Sequence, residues 1–266
     1  MSKYYNLEPL DLSRLRTEPL AKRPSKVTVR DFARVYKRGA KFADYLKTLP
    51  NILQAADVRR LVDAILAARQ KRKPVLWGLG GHVIKVGLSP VLIDLLERGL
   101  VSGIATTGAA LIHDFEIALV GHTSEDVPAQ LGKGRFGMAE ETGKLLNAAV
   151  RRAAEKGIGI GEGVGEFLLN LESLGTGHRA EFLSYSLFAA AYRARVPVTV
   201  HLALGTDIFH VHPSADGAAL GQASLHDFRL FAAGVRRLHP AGVYINVGSA
   251  VILPEVFLKA VAAVRN

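Results

Sequence analysis

The feature that most narrows the fold is the alternation of two patterns along the chain. Short apolar runs ending in small residues recur as "PVLWGLGG" (74–81), "VSGIATTG" (101–108), "VPVTVHLALG" (196–205) and "GVYINVGS" (242–249). Between and after them come stretches with apolar residues at helical spacing: "SPVLIDLLERG", "ALIHDFEIALVG", "FLSYSLFAAAYRA", "LHDFRLFAAGVRRL" and "LPEVFLKAVAAV". Strands this short and apolar are buried on both faces, and strands joined through helices run parallel. The pattern therefore reads as α/β, with a mostly parallel sheet flanked by helices.

Local signals support that order. Ser89 reads as an N-cap, with Pro90 at the first helical position and Gly99 after the end. "DVRRLVDAILAARQ" is an amphipathic helix with Val58, Leu61, Val62, Ile65 and Leu66 on one face, and Asp57 placed to cap it. "TVRDFARVYKRG" has helical spacing behind a candidate cap at Thr28. "LGKGRFGMAEETG" and "GIGIGEGVGEF" are rich in glycine and read as loops bordering two further helices. Glu140 and Glu141, adjacent in the first of these, read as a solvated helix start. Residues 1–50, broken by Pro9, Pro19 and Pro24, form a basic N-terminal arm with a helical element, and 51–266 form the α/β domain.

Charge follows the same division. The net charge is +10, yet residues 1–73 hold 18 Lys and Arg against 7 Asp and Glu, while 74–266 are close to balanced. An arm of this kind can contact nucleic acid or anionic lipid, but it lacks the interleaved aromatic and basic residues of a nucleic-acid reader. A partner subunit is the better expectation. Without cysteine, disulfides and thiolate metal sites are excluded. The start "MSKYYNLEPLDLSRLR" lacks an apolar signal core, and no long apolar run suggests a membrane span, so a cytoplasmic protein is expected.

A parallel sheet binds its ligands at the carboxyl ends of its strands. Four segments qualify: 78–82, 106–114, 204–212 and 246–249. In "WGLGGHVIK", Gly78, Gly80 and Gly81 permit a tight turn and close approach of a phosphate, although the motif is not a full G-x-G-x-x-G. "HLALGTDIFHVHPSADG" holds His201, Asp207, His210, His212 and Asp216. Asp207, His210 and His212 suit a metal by ligand type, and equally suit a hydrogen-bonded loop around a small-molecule pocket; the latter is favoured, because no histidine pair at helical metal spacing supports the former. Glu255, after Pro254, reads as a general base or as a charge that complements a helix dipole. His113 and Asp114 stand where a strand passes into a helix.

The same segments, in order, resemble deoxyhypusine synthase. "PVLWGLGGHVIKVGLSPVLIDLLERGLVSGIATTGAALIHDFEIAL", "VPVTVHLALGTDIFHVHP" and "AAGVYINVGSAVILPEVFLKA" are similar to that family's strand, Thr-Thr turn and acidic helix, to its Asp-bearing loop, and to its closing turn and helix. The resemblance implies a Rossmann-like fold, a homotetramer and NAD as cofactor. It implies that Gly80, Gly81, His82, Lys85, Thr106, Thr107, Gly108 and Asp114 line the cofactor, and that Asp207 lies near the family's loop Asp. His210, Asp207 and Glu255 are the catalytic candidates, with His210 or Glu255 taking the proton. The family's catalytic lysine lies beyond the segment matching "GSAVILPEVF", and no histidine stands beside Pro254 and Glu255. The expectation is a divergent NAD-dependent enzyme acting on an amine or alcohol, not a deoxyhypusine synthase. The alternatives are a metal-dependent lyase or hydrolase and a non-catalytic partner subunit.

Overall fold

A computed structural model describes residues 8–266. The first seven residues of the basic arm lie outside it. The described residues form two compact units divided between Leu61 and Val62.

The first unit holds helix α1 (Phe42–Thr48) and the start of α2 (Leu53–Gln70). Residues 28–39 do not form the expected helix. Thr28 and Asp31 close a single turn through side-chain hydrogen bonds, and the chain then extends. Arg34 N–H donates to the Thr48 carbonyl at 2.8 Å, and Asn51 N–H to that of Asp31 at 2.9 Å. These non-local bonds outcompete a short helix, whose nucleation is costly. Helix α2 begins four residues before Asp57, so Asp57 is not its cap and instead pairs with Arg60. Leu53, Gln54, Ala55 and Ala56 are all good helix formers and carry the helix past that position. The face expected from its spacing is present, with Val58 51% and Val62 49% exposed.

The second unit continues with β1 (Val75–Leu79), α3 (Gly81–Lys85), α4 (Ser89–Glu97), β2 (Gly103–Thr107), α5 (Gly108–Val120), α6 (Val127–Leu131), α7 (Glu140–Lys156), α8 (Ile160–Asn170), α9 (Leu187–Arg193), β3 (Val198–His201), α10 (Gly217–Arg236), β4 (Val243–Val247) and α11 (Ile252–Arg265). The four strands are all parallel, in the order β3-β2-β1-β4. Successive strands step outward from β1 to β3, and β4 then returns to the other side of β1. The fold is Rossmann-like, and the reversal puts a switch point between β1 and β4.

Side-chain alternation sorts the helices. Leu76, Ala105 and Tyr244 face α10 and α11, packing with Phe231, Val235 and Leu253. Trp77, Leu79, Ile104, Val198 and Val200 face the larger core built by α3–α5, α7–α9 and the first turns of α10, where Ala219, Leu220 and Ala223 join it. Ser89 does not cap α4: its hydroxyl is buried without a partner, and the cap is Leu88.

"GIGIGEGVGEF" is a loop only over 157–159, where Gly157 ends α7 and Gly159 caps α8. Gly161, Gly163 and Gly165 lie inside α8, which is wedged between neighbours too close for side chains. A Cβ at Gly161 would sit 1.8 Å from the Val198 carbonyl oxygen, and one at Gly163 2.5 Å from Ala153 Cβ. The composition signals a turn, but close packing consumes the glycines. Alanine substitution should therefore change sign with position. Gly161→Ala should lower unfolding stability by about 1–3 kcal/mol despite the better propensity of alanine. Gly221→Ala in α10, where nothing lies within 4 Å, should raise it by about 0.5–1 kcal/mol. Urea unfolding of the two variants checks this; equal effects would contradict the packing argument.

Candidate functional site

Because all strands are parallel, the four candidate segments lie along one edge of the sheet. At the switch point the backbones of the β1 and β4 termini touch. Gly80 N–H donates to the Val247 carbonyl at 2.9 Å. A Cβ on Gly80 would lie 2.0 Å from the Gly248 carbonyl oxygen. Gly248 itself has φ +72°, a conformation that favours glycine. Next to it, Ser249 Oγ accepts the Leu253 N–H at 3.1 Å and fixes the start of α11. The result is a close contact of backbone on backbone at the switch point. Gly81 opens α3, packed so closely on α5 that an added Cβ would meet Ala109 Cβ at 2.9 Å.

At the end of β2, the neighbour of β1, Gly108 begins α5 against the carboxylate of Asp207. A Cβ at Gly108 would fall 2.0 Å from Asp207 Oδ2. Burial pushes the Asp207 carboxyl up to about 6. His210 Nδ1 accepts the N–H groups of Gly205 (3.2 Å) and Asp207 (3.3 Å). The ring proton of neutral His210 is therefore on Nε2, which is buried, lacks a hydrogen-bond partner and lies 4.0 Å from Asp207 Oδ2. Burial lowers the His210 pKa, favouring this neutral form. His212 Nδ1 accepts the Ser214 N–H at 3.1 Å. Both Nδ1 atoms are thus engaged by backbone donors, and among the described residues no group of three or more His, Asp or Glu could hold a metal ion.

Lys85, His113, Glu116, Thr206 and Asp207 line a cavity of about 220 Å³ beside α5. A larger one, about 810 Å³, shares Glu116, Ser124, Glu125 and Ile208 with it and extends to Arg135 and Arg179. The shared wall is a hydrogen-bonded network. Thr123 Oγ1 donates to Glu116 Oε2 at 2.5 Å, and Thr142 Oγ1 to Glu116 Oε1 at 3.0 Å. His113 Nδ1 lies 2.8 Å from Thr123 Oγ1. His113 and Glu116 share a helix face at spacing i, i+3, a signal legible in "IHDFE". A further cavity, about 630 Å³ and lined by Tyr192, Arg195 and Pro197, lies at the start of β3, the edge opposite the strand ends.

The remaining candidates are dispersed. Asp114, one position from His113, points inward. It is 1% exposed, and its oxygens accept Ser186 Oγ (2.6 Å) and Leu187 N–H (2.7 Å), anchoring the start of α9. Burial nevertheless raises its pKa to about 6, against the lowering effect of those bonds. Thr106 is also buried, its hydroxyl donating to the Leu79 carbonyl at 2.7 Å across β1 and β2. Thr107 is the N-cap residue of α5 and bonds no helix N–H through its side chain. His82 is exposed on α3. Glu255 is exposed on α11, paired with Lys259 and apart from the Asp207 cavity.

One buried acid escaped the sequence reading. Asp227 Oδ2 accepts Val200 N–H (2.8 Å) and Gly161 N–H (3.1 Å), tying α10 to β3 and to the start of α8. The available signal was its place on the apolar stripe of Leu220, Ala223, Phe231 and Val235. Burial pushes its carboxyl up to about 7.

No protein-family model and no curated protein matches the sequence. Among solved structures, the chain is similar to an Entamoeba histolytica protein provisionally named a deoxyhypusine synthase. Identity is 14% over 87% of this chain and 97% of that one, with a TM-score of 0.48. It is also similar to ArgZ, an arginine dihydrolase from the ornithine-ammonia cycle in cyanobacteria, at 15% identity over 80% of this chain and 26% of that one, TM-score 0.47. A complex of AgrE with ornithine and NAD+ matches at 15% identity over 82% of this chain and 34% of that one, TM-score 0.41. The chain thus spans about a quarter of ArgZ and a third of AgrE.

Asp227 supplies a pH test. Its folded pKa of about 7 lies above the ordinary value of 3.8, so the folded state keeps a proton that the unfolded chain has lost. Its contribution is greatest at low pH and is lost as pH rises from about 4 to about 7. Asp227→Asn does not titrate. The stability of the variant relative to wild type should therefore increase across that window in denaturant unfolding. A difference independent of pH would contradict the assignment.

Proposed function

We propose that this chain is a deoxyhypusine-synthase-like NAD-binding enzyme that oxidises a small amine or alcohol, in a reaction other than deoxyhypusine synthesis. The observation that carries the reading is the β1–β4 switch point itself, where glycines at the strand ends leave backbone without side chains and a Cβ on Gly80 would strike Gly248. A dinucleotide pyrophosphate needs close approach to backbone at such a point. On this reading Gly80, Gly81 and Ser249 hold the pyrophosphate. His82, Thr107 and Gly108 border the path toward the Lys85–His113–Asp207 cavity, which takes the substrate. NAD, when bound, supplies the hydride acceptor. Asp207 sets the polarity of the cavity wall against α5, and His210 holds the Asp207 loop through its two backbone bonds. Thr106 and Asp114 act from behind, fixing the ends of β2 and α9. Glu255 stands outside this arrangement.

Calorimetric titration tests the reading, with saturable binding of NAD expected. Ser249→Asp retains an acceptor for the Leu253 N–H but adds a negative charge beside the proposed pyrophosphate position. It should weaken NAD binding by about ten-fold or more, equivalent to about 1.4 kcal/mol, with little change in melting temperature. No binding of NAD or NADH at millimolar concentration would overturn the proposal.

The exposed apolar face of α2, including Val58, Leu61, Val62 and Leu66, supports assembly with further copies of the chain, proposed as a homotetramer. No helix among the described residues is long and apolar enough to cross a membrane. Light scattering at micromolar concentration should report the tetramer; a monomer would contradict it.

A further inference from the structure

We propose that His113 is the proton-accepting group of the cavity beside α5, held by Thr123 and Glu116 in the tautomer that leaves its Nε2 unprotonated. The argument is one of hydrogen counting. A threonine hydroxyl has one hydrogen, and that of Thr123 is donated to Glu116 Oε2 at 2.5 Å. Toward His113 Nδ1, 2.8 Å away, the hydroxyl has only a lone pair to offer. Nδ1 must therefore carry the ring hydrogen. The neutral ring then presents Nε2 as a bare base, and the ring lines the cavity that also holds Lys85 and Asp207. Thr142 donates to the other Glu116 oxygen at 3.0 Å and fixes the carboxylate that orients Thr123. His113 is the catalytic residue in this arrangement; Thr123, Glu116 and Thr142 are positioning residues. His210 does not supply such a base, because its Nδ1 lone pair is occupied by two backbone donors. Asp207 lines the same cavity, and burial raises its carboxyl to about 6, which makes it a weaker charge there than an exposed carboxylate.

The chemistry rests on the oxidative reading above for the source of the proton. A primary ammonium substrate would transfer one N–H proton to His113 Nε2; NAD, when bound, would supply the acceptor for the hydride from the adjacent carbon, so that the C–N single bond would become the double bond of an iminium cation. An alcohol would give its O–H proton to the same nitrogen and, with the same acceptor for its C–H hydride, would leave a carbonyl compound. In both cases the imidazole becomes an imidazolium, whose charge Glu116 offsets through Thr123.

The charged and titratable groups around the ring are Lys85 and His82 on α3, Glu116 on its own helix, Glu125 on the following loop and Asp207 on the loop after β3. Burial, followed by the positive fields of Lys85 and His82, lowers the His113 pKa. The base is thereby kept unprotonated at neutral pH.

The test is nitrogen NMR on the full-length protein labelled at histidine, with the signal assigned by loss in His113→Gln. The expected spectrum of the cofactor-free protein shows protonated Nδ1 and bare Nε2 for His113. Thr123→Ser should keep that pattern. Thr123→Val should shift the population toward the Nε2–H tautomer and move the His113 titration midpoint to lower pH, because the link to Glu116 is lost. A proton on Nε2 in the wild type, or a Thr123→Val spectrum identical to wild type, would overturn the proposal. Calorimetry separates this from the cofactor reading. Thr123→Val should bind NAD within about three-fold of wild type, since Thr123 lines neither the switch point nor the cavity beside α5. Failure of the wild type to bind NAD would remove the oxidative step while leaving the tautomer result intact.

Discussion

The carboxyl edge of the sheet depends on one contact between backbones. Gly80 leaves β1 so close to Gly248, at the end of β4, that no side chain fits between them. The contact holds the end of β4 against that of β1 at the switch point, and it places peptide groups rather than side chains there. Gly108 repeats the device at α5, where the missing Cβ admits the Asp207 carboxylate. Residues distant in sequence thereby reach one edge without a long loop having to carry any of them.

Behind that edge, buried acids act as struts. Asp114 holds the start of α9, and Asp227 joins α8, α10 and β3. Neither has a cation as its partner; backbone N–H groups and, for Asp114, a serine hydroxyl supply the bonds. Burial therefore dominates, and both pKa values rise to about 6 or 7. His201 is the counterpart, with burial pushing it down to about 4. The molecule thus contains groups with opposed pH dependences. The acids favour folding at low pH, and His201 opposes it as pH falls from about 6.5 toward about 4.

Much of the sheet was legible in the sequence because strand burial and helix periodicity are local properties. The strand runs and the segments at their carboxyl ends can be read directly from composition and spacing. The glycines of α8 could not be read this way, because a glycine in a turn and one under a neighbouring carbonyl look alike along the chain. Residues 28–39 misled for a related reason: the backbone bonds from Arg34 to Thr48 and from Asn51 to Asp31 are absent from any local pattern. In the candidate site, His113 and Asp114 stood out as a pair, yet helix geometry separates them. His113 lines the cavity, while Asp114 is buried against Ser186. Glu116, three positions on, was the partner that spacing could have indicated. Thr123 and Thr142 could not have been found, since only the fold brings them to that carboxylate.

The central proposal is that a dinucleotide held at the β1–β4 switch point reaches the cavity beside α5, where its substrate binds. A crystal structure of the protein grown with NAD tests it most directly. The account predicts pyrophosphate against Gly80, Gly81 and Ser249, with the nicotinamide directed toward Lys85, His113 and Asp207. Cofactor bound instead at the opposite edge of the sheet, near Tyr192 and Arg195, would contradict it.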